Sequence, residues 1–350
     1  MKPFKKDKYR ETVHKVAKKP WNWKTFDNKT ILITGATGLI GSFLIDVLMQ
    51  LTRDGIISCK VVAVGRNADE ASVRFVDYWD EKCFTFLTCD ITEEFPADAG
   101  TVDFMIHAAS NTHPIAYATD PIGTITTNII GTKNILDAAS KLKTQRVVFI
   151  SSVEIYGENR GDIEAFDELY CGYLDCNTLR AGYPEGKRAG EALCQAYIRQ
   201  KGLDIVISRL PRVYGPTMRM NDSKALSQFI KKGLNKEDIV LKSEGTQLFS
   251  YLYVADAVSG ILHSCLYGEN GQAYNYSCSE SDIMLKDLAQ IVAEYASVNV
   301  TFELPDAVER SGYSKATVAV LDSSKARAMG WSADYNIKSG LKNTLDILSE

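Results

Sequence analysis

From residue 29 onward, short apolar runs alternate along the chain with longer amphipathic stretches. The apolar runs predict strands at 29–34, 60–64, 84–88, 102–106, 146–150 and 203–208. In the first amphipathic stretch, 39–51, the apolar residues recur at helical spacing and form one face. Further helices are predicted near 128–141 and 185–200. Continuous apolar strands separated by helices are typical of a parallel sheet covered on both faces, so the pattern predicts a doubly wound α/β fold.

The regular alternation weakens beyond residue 210, where turn signals such as Gly215-Pro216, Gly233 and Gly245 become frequent. We therefore predict a smaller and less regular C-terminal α/β part that is interleaved with the sheet. The expected division is a basic extension at 1–28 and a nucleotide-binding domain at 29–210 that also receives roughly 246–268. Residues 211–245 and 269–350 would form the second domain, which binds the substrate.

Composition is that of an ordinary globular protein. The 350 residues are 45% hydrophobic and 24% charged, with a formal net charge of -4. No run of eighteen apolar residues occurs, so we expect a soluble cytoplasmic protein that does not insert into a membrane. The eight cysteines form no CxxC pair, which favours reduced thiols and no metal site.

The first 24 residues are strongly basic, with nine Lys/Arg against two acids, so the rest of the chain is acidic. An acidic body argues against nucleic-acid binding. The basic segment could contact phosphates or an acidic membrane surface. However, Tyr9, Val13 and Val16 recur at helical spacing after a possible cap at Asp7. We favour an extra helix packed on the outside of the domain.

A glycine-rich loop follows the first predicted strand and opens the first predicted helix, with the sequence TGATGLIG at 34–41. Gly35 permits a tight turn, Gly38 lets the backbone approach a pyrophosphate, and Gly41 lets helix and strand pack closely. The helix start presents free N–H groups to phosphates. This context predicts a Rossmann-type dinucleotide site made by Gly35, Thr37, Gly38, Leu39, Ile40 and Gly41.

The end of the second predicted strand bears on the choice of cofactor. NAD-specific folds usually have an acid there, but this strand ends Val64-Gly65-Arg66-Asn67. Arg66 is available to meet a 2′-phosphate, which favours NADP over NAD. The alternatives are that Arg66 is a solvated loop residue or stacks on the adenine of NAD.

A serine, a tyrosine and a lysine form the candidate catalytic set. Ser152 follows the fifth predicted strand, and Tyr183 and Lys187 are one helical turn apart. An ammonium group beside a phenol is expected to lower the pKa of that phenol. Tyr183 could then take a proton from a substrate hydroxyl while hydride leaves for a nicotinamide cofactor.

These motifs resemble the extended short-chain dehydrogenase/reductases, in the branch of nucleotide-sugar epimerases and dehydratases. The resemblance runs from about residue 29 to at least 262. It rests on TGATGLIG (34–41), Cys89-Asp90-Ile91, His107-Ala108-Ala109, Asn128 with Gly131-Thr132, SSVEIYG (151–157), YPEGK (183–187), RVYGP (212–216) and YVADAV (253–258). Within the branch, Asp120-Pro121-Ile122, Arg180-Ala181 and GPTMRMND (215–222) are most similar to UDP-glucuronate decarboxylases. The resemblance implies tightly bound NAD(P), a nucleotide-sugar substrate and a homodimer formed through helices near 120–141 and 185–200.

The resemblance also implies roles for individual residues. Ser152, Tyr183, Lys187 and Glu154 would be catalytic. The cofactor would be held by the glycine-rich loop, Arg66, Asp90, Ile91, Ala108, Ala109, Ser110, Asn128, Tyr183 and Lys187. The substrate would be held by His113, Tyr117, Arg180, Arg212, Lys224 and Phe249. His107 is expected to be structural.

Three departures from the family pattern shape the predicted reaction. Val153 stands where 4,6-dehydratases have an acid and decarboxylases have a serine. Phe249 replaces a common arginine, and Arg212 replaces an asparagine. We hypothesise that Arg212 supplies the diphosphate-binding charge lost at position 249, with Lys224 nearby; alternatively, Arg212 is structural and the substrate is no nucleotide sugar.

The predicted reaction is oxidation of a sugar hydroxyl at C4 followed by reduction on the other face, which is 4-epimerisation. Decarboxylation or dehydration is the close alternative, and net NADP-dependent oxidation or reduction is a third. A protein that senses dinucleotides without chemistry is disfavoured because Tyr183 and Lys187 are both present.

Overall fold

The computed structural model describes residues 3–96, 100–112, 117, 119–303 and 317–350. Within these ranges the strands are β1 (Thr30–Thr34), β2 (Lys60–Gly65), β3 (Phe84–Thr88), β4 (Phe104–His107), β5 (Arg146–Ser152), β6 (Ile205–Leu210), β7 (Arg212–Tyr214), β8 (Ile239–Leu241), β9 (Leu248–Tyr253), β10 (Ala273–Asn275), β11 (Asp282–Met284), β12 (Val300–Phe302) and β13 (Val318–Ala319). The α-helices are α1 (Asp7–Ala17), α2 (Leu39–Arg53), α3 (Ala68–Arg74), α4 (Pro121–Thr126), α5 (Thr132–Leu142), α6 (Gly182–Lys201), α7 (Ala225–Leu234), α8 (Val254–Tyr267), α9 (Leu285–Ala296), α10 (Ser324–Ala328) and α11 (Ile337–Ser349).

A seven-stranded parallel sheet forms the centre, in the order β10-β6-β5-β4-β1-β2-β3. The apolar runs are buried because helices cover both faces of the sheet, which confirms the predicted doubly wound α/β fold. Since all seven strands run the same way, their carboxyl ends meet at one edge, where open α/β sheets bind ligands.

Several predicted boundaries shift by a few residues. Strand β6 covers 205–210 rather than 203–208, and β5 continues to Ser152. The helix predicted at 128–141 begins earlier, at Pro121, after a cap in which Asp120 accepts from the Gly123 N–H at 2.9 Å. Between α4 and α5, Thr127–Gly131 forms a π-helical turn. Such turns are frequent at functional sites, and no periodicity signals them in advance.

The seventh strand, β10, was not predicted. It is only three residues long and pairs with β6 through Ala273↔Ile207 and the two following positions. So short a segment has no recognisable period, and its place depends on the pairing partner. It lies within 269–350, which the sequence assigned to the second domain, so the chain returns to the sheet from that part. The proposed division into domains itself stays a prediction.

The smaller part contains a second sheet, in which β9 pairs with β7, β11 and β13, and a separate β8–β12 pair. Helices α7, α9 and α11 pack beside these strands. Within the described ranges, no helix combines the length and the apolar character needed to cross a lipid bilayer.

The N-terminal extension forms helix α1, which packs on α2 and α8 as an additional layer. Tyr9, Val13 and Val16 are at most 1% exposed, which confirms the predicted apolar face. The predicted cap was wrong: the helix begins at Asp7, and Lys6 precedes it without a side-chain capping bond.

Charged contacts fasten this helix to the rest of the molecule. The Tyr9 phenol donates to the buried carboxylate of Asp46, which also pairs with Arg74 on α3. Lys8 pairs with Asp346 on α11 at 2.5 Å, and Lys19 with Asp334 at 2.8 Å. Part of the basic charge of the extension is therefore neutralised within the molecule.

Candidate active site

A cavity of about 540 Å³ lies at the carboxyl ends of the central strands. The sequence-predicted residues that line it are Gly35, Thr37, Gly38, Leu39, Ile40, Gly41, Arg66, Asp90, Ile91, Ala108, Ala109, Ser110, Tyr117, Ser152, Glu154, Tyr183, Lys187, Arg212 and Lys224. Asn128, Arg180 and Phe249 are absent from the lining, and His113 lies outside the described residues. The cavity therefore brings together the glycine-rich loop and the Ser–Tyr–Lys set.

The glycine-rich loop leaves no room for side chains where it meets its neighbours. A Cβ on Gly35, which has a φ of +68°, would lie 2.8 Å from the Ala109 nitrogen, and one on Gly41 would lie 2.4 Å from the Gly35 oxygen. Gly38 is the residue before α2, and a Cβ there would meet only the Gly35 oxygen, at 3.1 Å. Gly38, Leu39, Ile40 and Gly41 at the start of α2 line the cavity, and the free N–H groups of a helix start suit the pyrophosphate of a dinucleotide.

Arg66 and Asp90 form the end of the cavity next to β2. The Arg66 side chain is 69% exposed, and its Nη1 lies 4.0 Å from a carboxylate oxygen of Asp90. Hydrogen bonds from the Thr92 backbone N–H and hydroxyl lower the pKa of Asp90. The guanidinium of Arg66 therefore has a carboxylate neighbour, Asp90, which lies just after the end of β3 and could not be inferred from the sequence of β2.

His107 is neutral and structural. Burial lowers its pKa to about 3, and the charge of Lys187 adds to that effect. Thr132 donates to the Asn128 carbonyl, so the histidine Nε2 donates to Thr132 while its Nδ1 accepts from Thr34. This network connects β1, β4 and α5 beneath the cavity floor.

Asn128 is buried next to Ser110, which lines the cavity. It is 1% exposed and its side-chain oxygen accepts from the Ser110 hydroxyl at 2.8 Å, while its amide donates to the Thr124 carbonyl. Asn128 is not among the residues that line the cavity, but it holds Ser110, which is. Its predicted role in cofactor binding stays a prediction.

Tyr183 and Ser152 both line the cavity, and Ser152 accepts a hydrogen bond from the Glu154 backbone N–H at 3.2 Å. Burial raises the pKa of Tyr183, and the charge of Glu154 raises it further, against opposing contributions from Ser152 and Arg180. Lys187 donates instead to the Ile150 carbonyl at 2.8 Å, and burial lowers its pKa to about 8. The expected lowering of the Tyr183 pKa by Lys187 is therefore not found in the chain by itself.

Glu154, Arg180 and Tyr117 form a charged cluster beside the phenol. Arg180 donates to Glu154 at 3.0 Å, and its guanidinium lies 4.8 Å above the ring of Tyr117. Tyr117 in turn stacks on Tyr183, with ring centroids 5.3 Å apart. Arg180 is not among the residues that line the cavity, and it contacts Glu154 and Tyr117, which are. Its predicted role in substrate binding stays a prediction.

Arg212 lies directly on Phe249. Its guanidinium is 3.4 Å from the ring centroid, and its Nη1 is buried without a hydrogen-bond partner. Burial lowers the pKa of Arg212, which reflects a charge removed from water. Lys224, farther along the same wall, donates to Thr112 at 3.3 Å. An arginine from β7 thus lies over the ring of Phe249.

Sequence reasoning missed three charged residues in the lining: Glu70, Arg219 and Asp222. Glu70 and Arg219 pair with each other at 2.8 Å, and Arg219 also donates to Thr37 at 2.9 Å. Asn67, Asn111, Thr112 and Pro211 line the cavity as well. The signal was present in GPTMRMND (215–222), which drew attention as a family motif without any residue in it being assigned a role. Among the described residues, no cluster of potential metal ligands occurs.

A parallel sheet that carries a glycine-rich loop and a Ser–Tyr–Lys set around one cavity defines a dinucleotide-dependent enzyme of the short-chain dehydrogenase/reductase type. The chain belongs to the NAD dependent epimerase/dehydratase family, whose model matches residues 31–276.

Individual proteins with a similar sequence are enzymes that act on nucleotide sugars, as their names state. The chain is 31% identical over 316 residues to UDP-glucuronic acid decarboxylase 6 of Arabidopsis thaliana, covering 90% of this chain and 87% of that protein. It is 31% identical over 325 residues to UDP-glucuronic acid decarboxylase 1 of Danio rerio, covering 92% and 73%.

Solved structures share the fold at lower identity. The UDP-glucose 4-epimerase of Thermotoga maritima superposes with a TM-score of 0.77 at 21% identity, covering 91% of this chain and 98% of that one. The UDP-glucuronic acid 4-epimerase of Bacillus cereus, solved with UDP-glucuronic acid and NAD, has a TM-score of 0.75 at 23% identity, with the same coverage. The chain is therefore an enzyme of this family.

Proposed function

We propose that the chain is an NAD(P)-dependent nucleotide-sugar 4-epimerase. The observation that carries the proposal is that Tyr183 and Ser152 line the same cavity as the glycine-rich loop. A proton acceptor and a dinucleotide site in one cavity suit the removal of a proton and a hydride from one carbinol carbon.

When bound, the oxidised cofactor supplies a hydride acceptor and a positive charge that favours the phenolate. Tyr183 would take the proton of the C4 hydroxyl while Ser152 holds the same oxygen, and the bound cofactor would accept the C4 hydrogen as hydride. After the ketone has turned in the cavity and regained the hydride on its opposite face, Tyr183 would return the proton to the C4 oxygen. The net result is inversion at C4 with no change in oxidation state.

Epimerisation is favoured over dehydration because the cavity lacks the expected elimination acid. Val153, between Ser152 and Glu154, lines the cavity, and its hydrocarbon side chain has no proton to donate. Glu154 is held by Arg180 at 3.0 Å. The carboxylate beside the phenol is therefore engaged as an ion-pair partner.

Decarboxylation is the second candidate, favoured by the curated relatives, which are UDP-glucuronic acid decarboxylases. Incubation of the enzyme with UDP-glucose and with UDP-glucuronic acid, followed by NMR, separates the reactions. The C4 epimer supports the proposal, whereas a pentose with released CO₂ supports decarboxylation.

Tyr183→Phe tests the mechanism independently of the substrate. General acid–base catalysis contributes about 10²- to 10⁴-fold, so turnover should fall by at least about 100-fold while the cofactor is still bound. A variant as active as the parent enzyme excludes this role for the phenol.

Arg212 is proposed to bind the diphosphate of the nucleotide sugar. Its buried Nη1 has no hydrogen-bond acceptor in the protein, and a guanidinium binds phosphate through paired hydrogen bonds. Arg212→Ala should raise KM about tenfold or more, and the double variant Arg212→Ala/Phe249→Arg should recover part of that loss. An unchanged KM in Arg212→Ala contradicts the assignment.

The exposed guanidinium of Arg66 is proposed to favour NADP over NAD by meeting the 2′-phosphate. Arg66→Ala should then weaken NADP binding and leave NAD binding nearly unchanged. Equal changes in the two dissociation constants contradict the preference.

A homodimer is proposed through the helices at 121–142 and 182–201. Two apolar side chains on the first of these, Ile122 and Ile130, are exposed. Ile122→Asp should shift the protein toward a monomer in light scattering, and an unchanged mass disfavours this interface.

A further inference from the structure

An arginine from the smaller part of the chain reaches the cofactor end of the cavity. Arg219 lies in segment 215–222, which follows β7. Its Nη2 donates to the Thr37 hydroxyl at 2.9 Å and to the Glu70 carboxylate on α3 at 2.8 Å. The Thr217 hydroxyl donates to the Leu39 carbonyl, at the start of α2, at 2.7 Å. Segment 215–222 is therefore bonded to Thr37 and Leu39 of the glycine-rich loop and to α3.

The guanidinium of Arg219 has hydrogen-bonding capacity that the protein does not use. Its Nε is buried and has no partner, although the side chain lines the cavity. A buried donor without an acceptor is costly. The nearest phosphate-binding feature is the start of α2, where the bare backbone at Gly38 is open to the cavity. An anionic oxygen bound there would be an acceptor for this donor.

We propose that Arg219 binds the diphosphate of the cofactor through its Nε–H and latches segment 215–222 over the glycine-rich loop. The cofactor can then leave only after Arg219 releases Thr37 and Glu70. This inference rests on the proposed function, because it presupposes a dinucleotide at the loop. Slow release suits a reaction in which hydride returns to the same sugar and the cofactor is never exchanged.

The first test measures the rate at which cofactor leaves the full-length protein. In Arg219→Met the dissociation rate constant of NAD(P) should rise about ten- to hundredfold, as expected for loss of a hydrogen bond to a charged group. Glu70→Gln keeps the guanidinium but weakens the latch, so its rate should rise by less. The control is Arg53→Met, which removes an Arg53–Glu81 pair of similar exposure outside the cavity lining. An unchanged rate in Arg219→Met overturns the proposal, and an unchanged rate in Glu70→Gln overturns the latch.

The second test identifies the part of the cofactor that Arg219 contacts. ADP-ribose contains the diphosphate and adenosine does not. Arg219→Met should weaken binding of ADP-ribose about tenfold or more while binding of adenosine changes less than about twofold. Equal losses for the two probes overturn the proposal. If the parent protein binds neither NAD(P) nor ADP-ribose, the proposed function fails; if it binds both and Arg219→Met binds equally well, only the role of Arg219 is rejected.

Discussion

Replacing Lys187 with methionine is expected to stabilise the cofactor-free fold at pH 7 while abolishing turnover. Lys187 is 3% exposed, and burial lowers its pKa from 10.5 to about 8. At about 1.4 kcal/mol per pKa unit, this shift corresponds to about 3 kcal/mol of destabilisation when the group is charged in both states. Losing the hydrogen bond to the Ile150 carbonyl offsets about 1 kcal/mol. The net gain in the free energy of unfolding is therefore about 2 kcal/mol.

The sign of this effect depends on pH. Between pH 8 and pH 10.5 the folded state binds fewer protons at Lys187 than the unfolded state. The stability of the parent protein at this site therefore rises with pH across that range, and the variant has no such rise. The advantage of Lys187→Met should shrink by about 2–3 kcal/mol between pH 7 and pH 10.

Urea unfolding of both proteins at pH 7 and pH 10, after removal of cofactor, measures the difference. Lys133→Met is the matched control because it removes an exposed lysine that pairs with Asp137 at 2.7 Å. It should change stability by less than about 1 kcal/mol at either pH. If Lys187→Met is less stable than the parent by the same amount at both pH values, the reasoning is refuted, because Lys187 then titrates alike in the folded and unfolded chain.

Further substitutions test the docking of the extension and the charged cluster at the site. Asp46→Ala leaves the buried Arg74 unpaired and should lower the free energy of unfolding by about 3–5 kcal/mol in urea. Tyr9→Phe removes only the hydrogen bond to Asp46 and should lower it by about 1 kcal/mol. Equal losses in the two variants would show that the Asp46–Arg74 ion pair does not contribute to stability. Glu154→Gln weakens the pair with Arg180 and should lower kcat with little change in bound cofactor; loss of cofactor in that variant would point to misfolding of the site instead.

The sequence alone determined the central layer of the fold and the two motifs of the site. Six parallel strands were predicted because each is a continuous apolar run between helical stretches, a signal carried within a few residues. The glycine-rich loop and the Tyr183/Lys187 spacing are likewise local. Their convergence was predictable because the carboxyl ends of parallel strands meet at one edge.

Tertiary structure decided what depends on partners distant in sequence. Strand β10 is stabilised by its pairing with β6. Arg219 lines the cavity because segment 215–222 packs against Thr37 and Glu70. The pKa of Tyr183 was expected to fall from the helical spacing of Lys187, but burial raises it. Desolvation and ion pairing depend on the whole surrounding shell of atoms, and no window of sequence contains that shell.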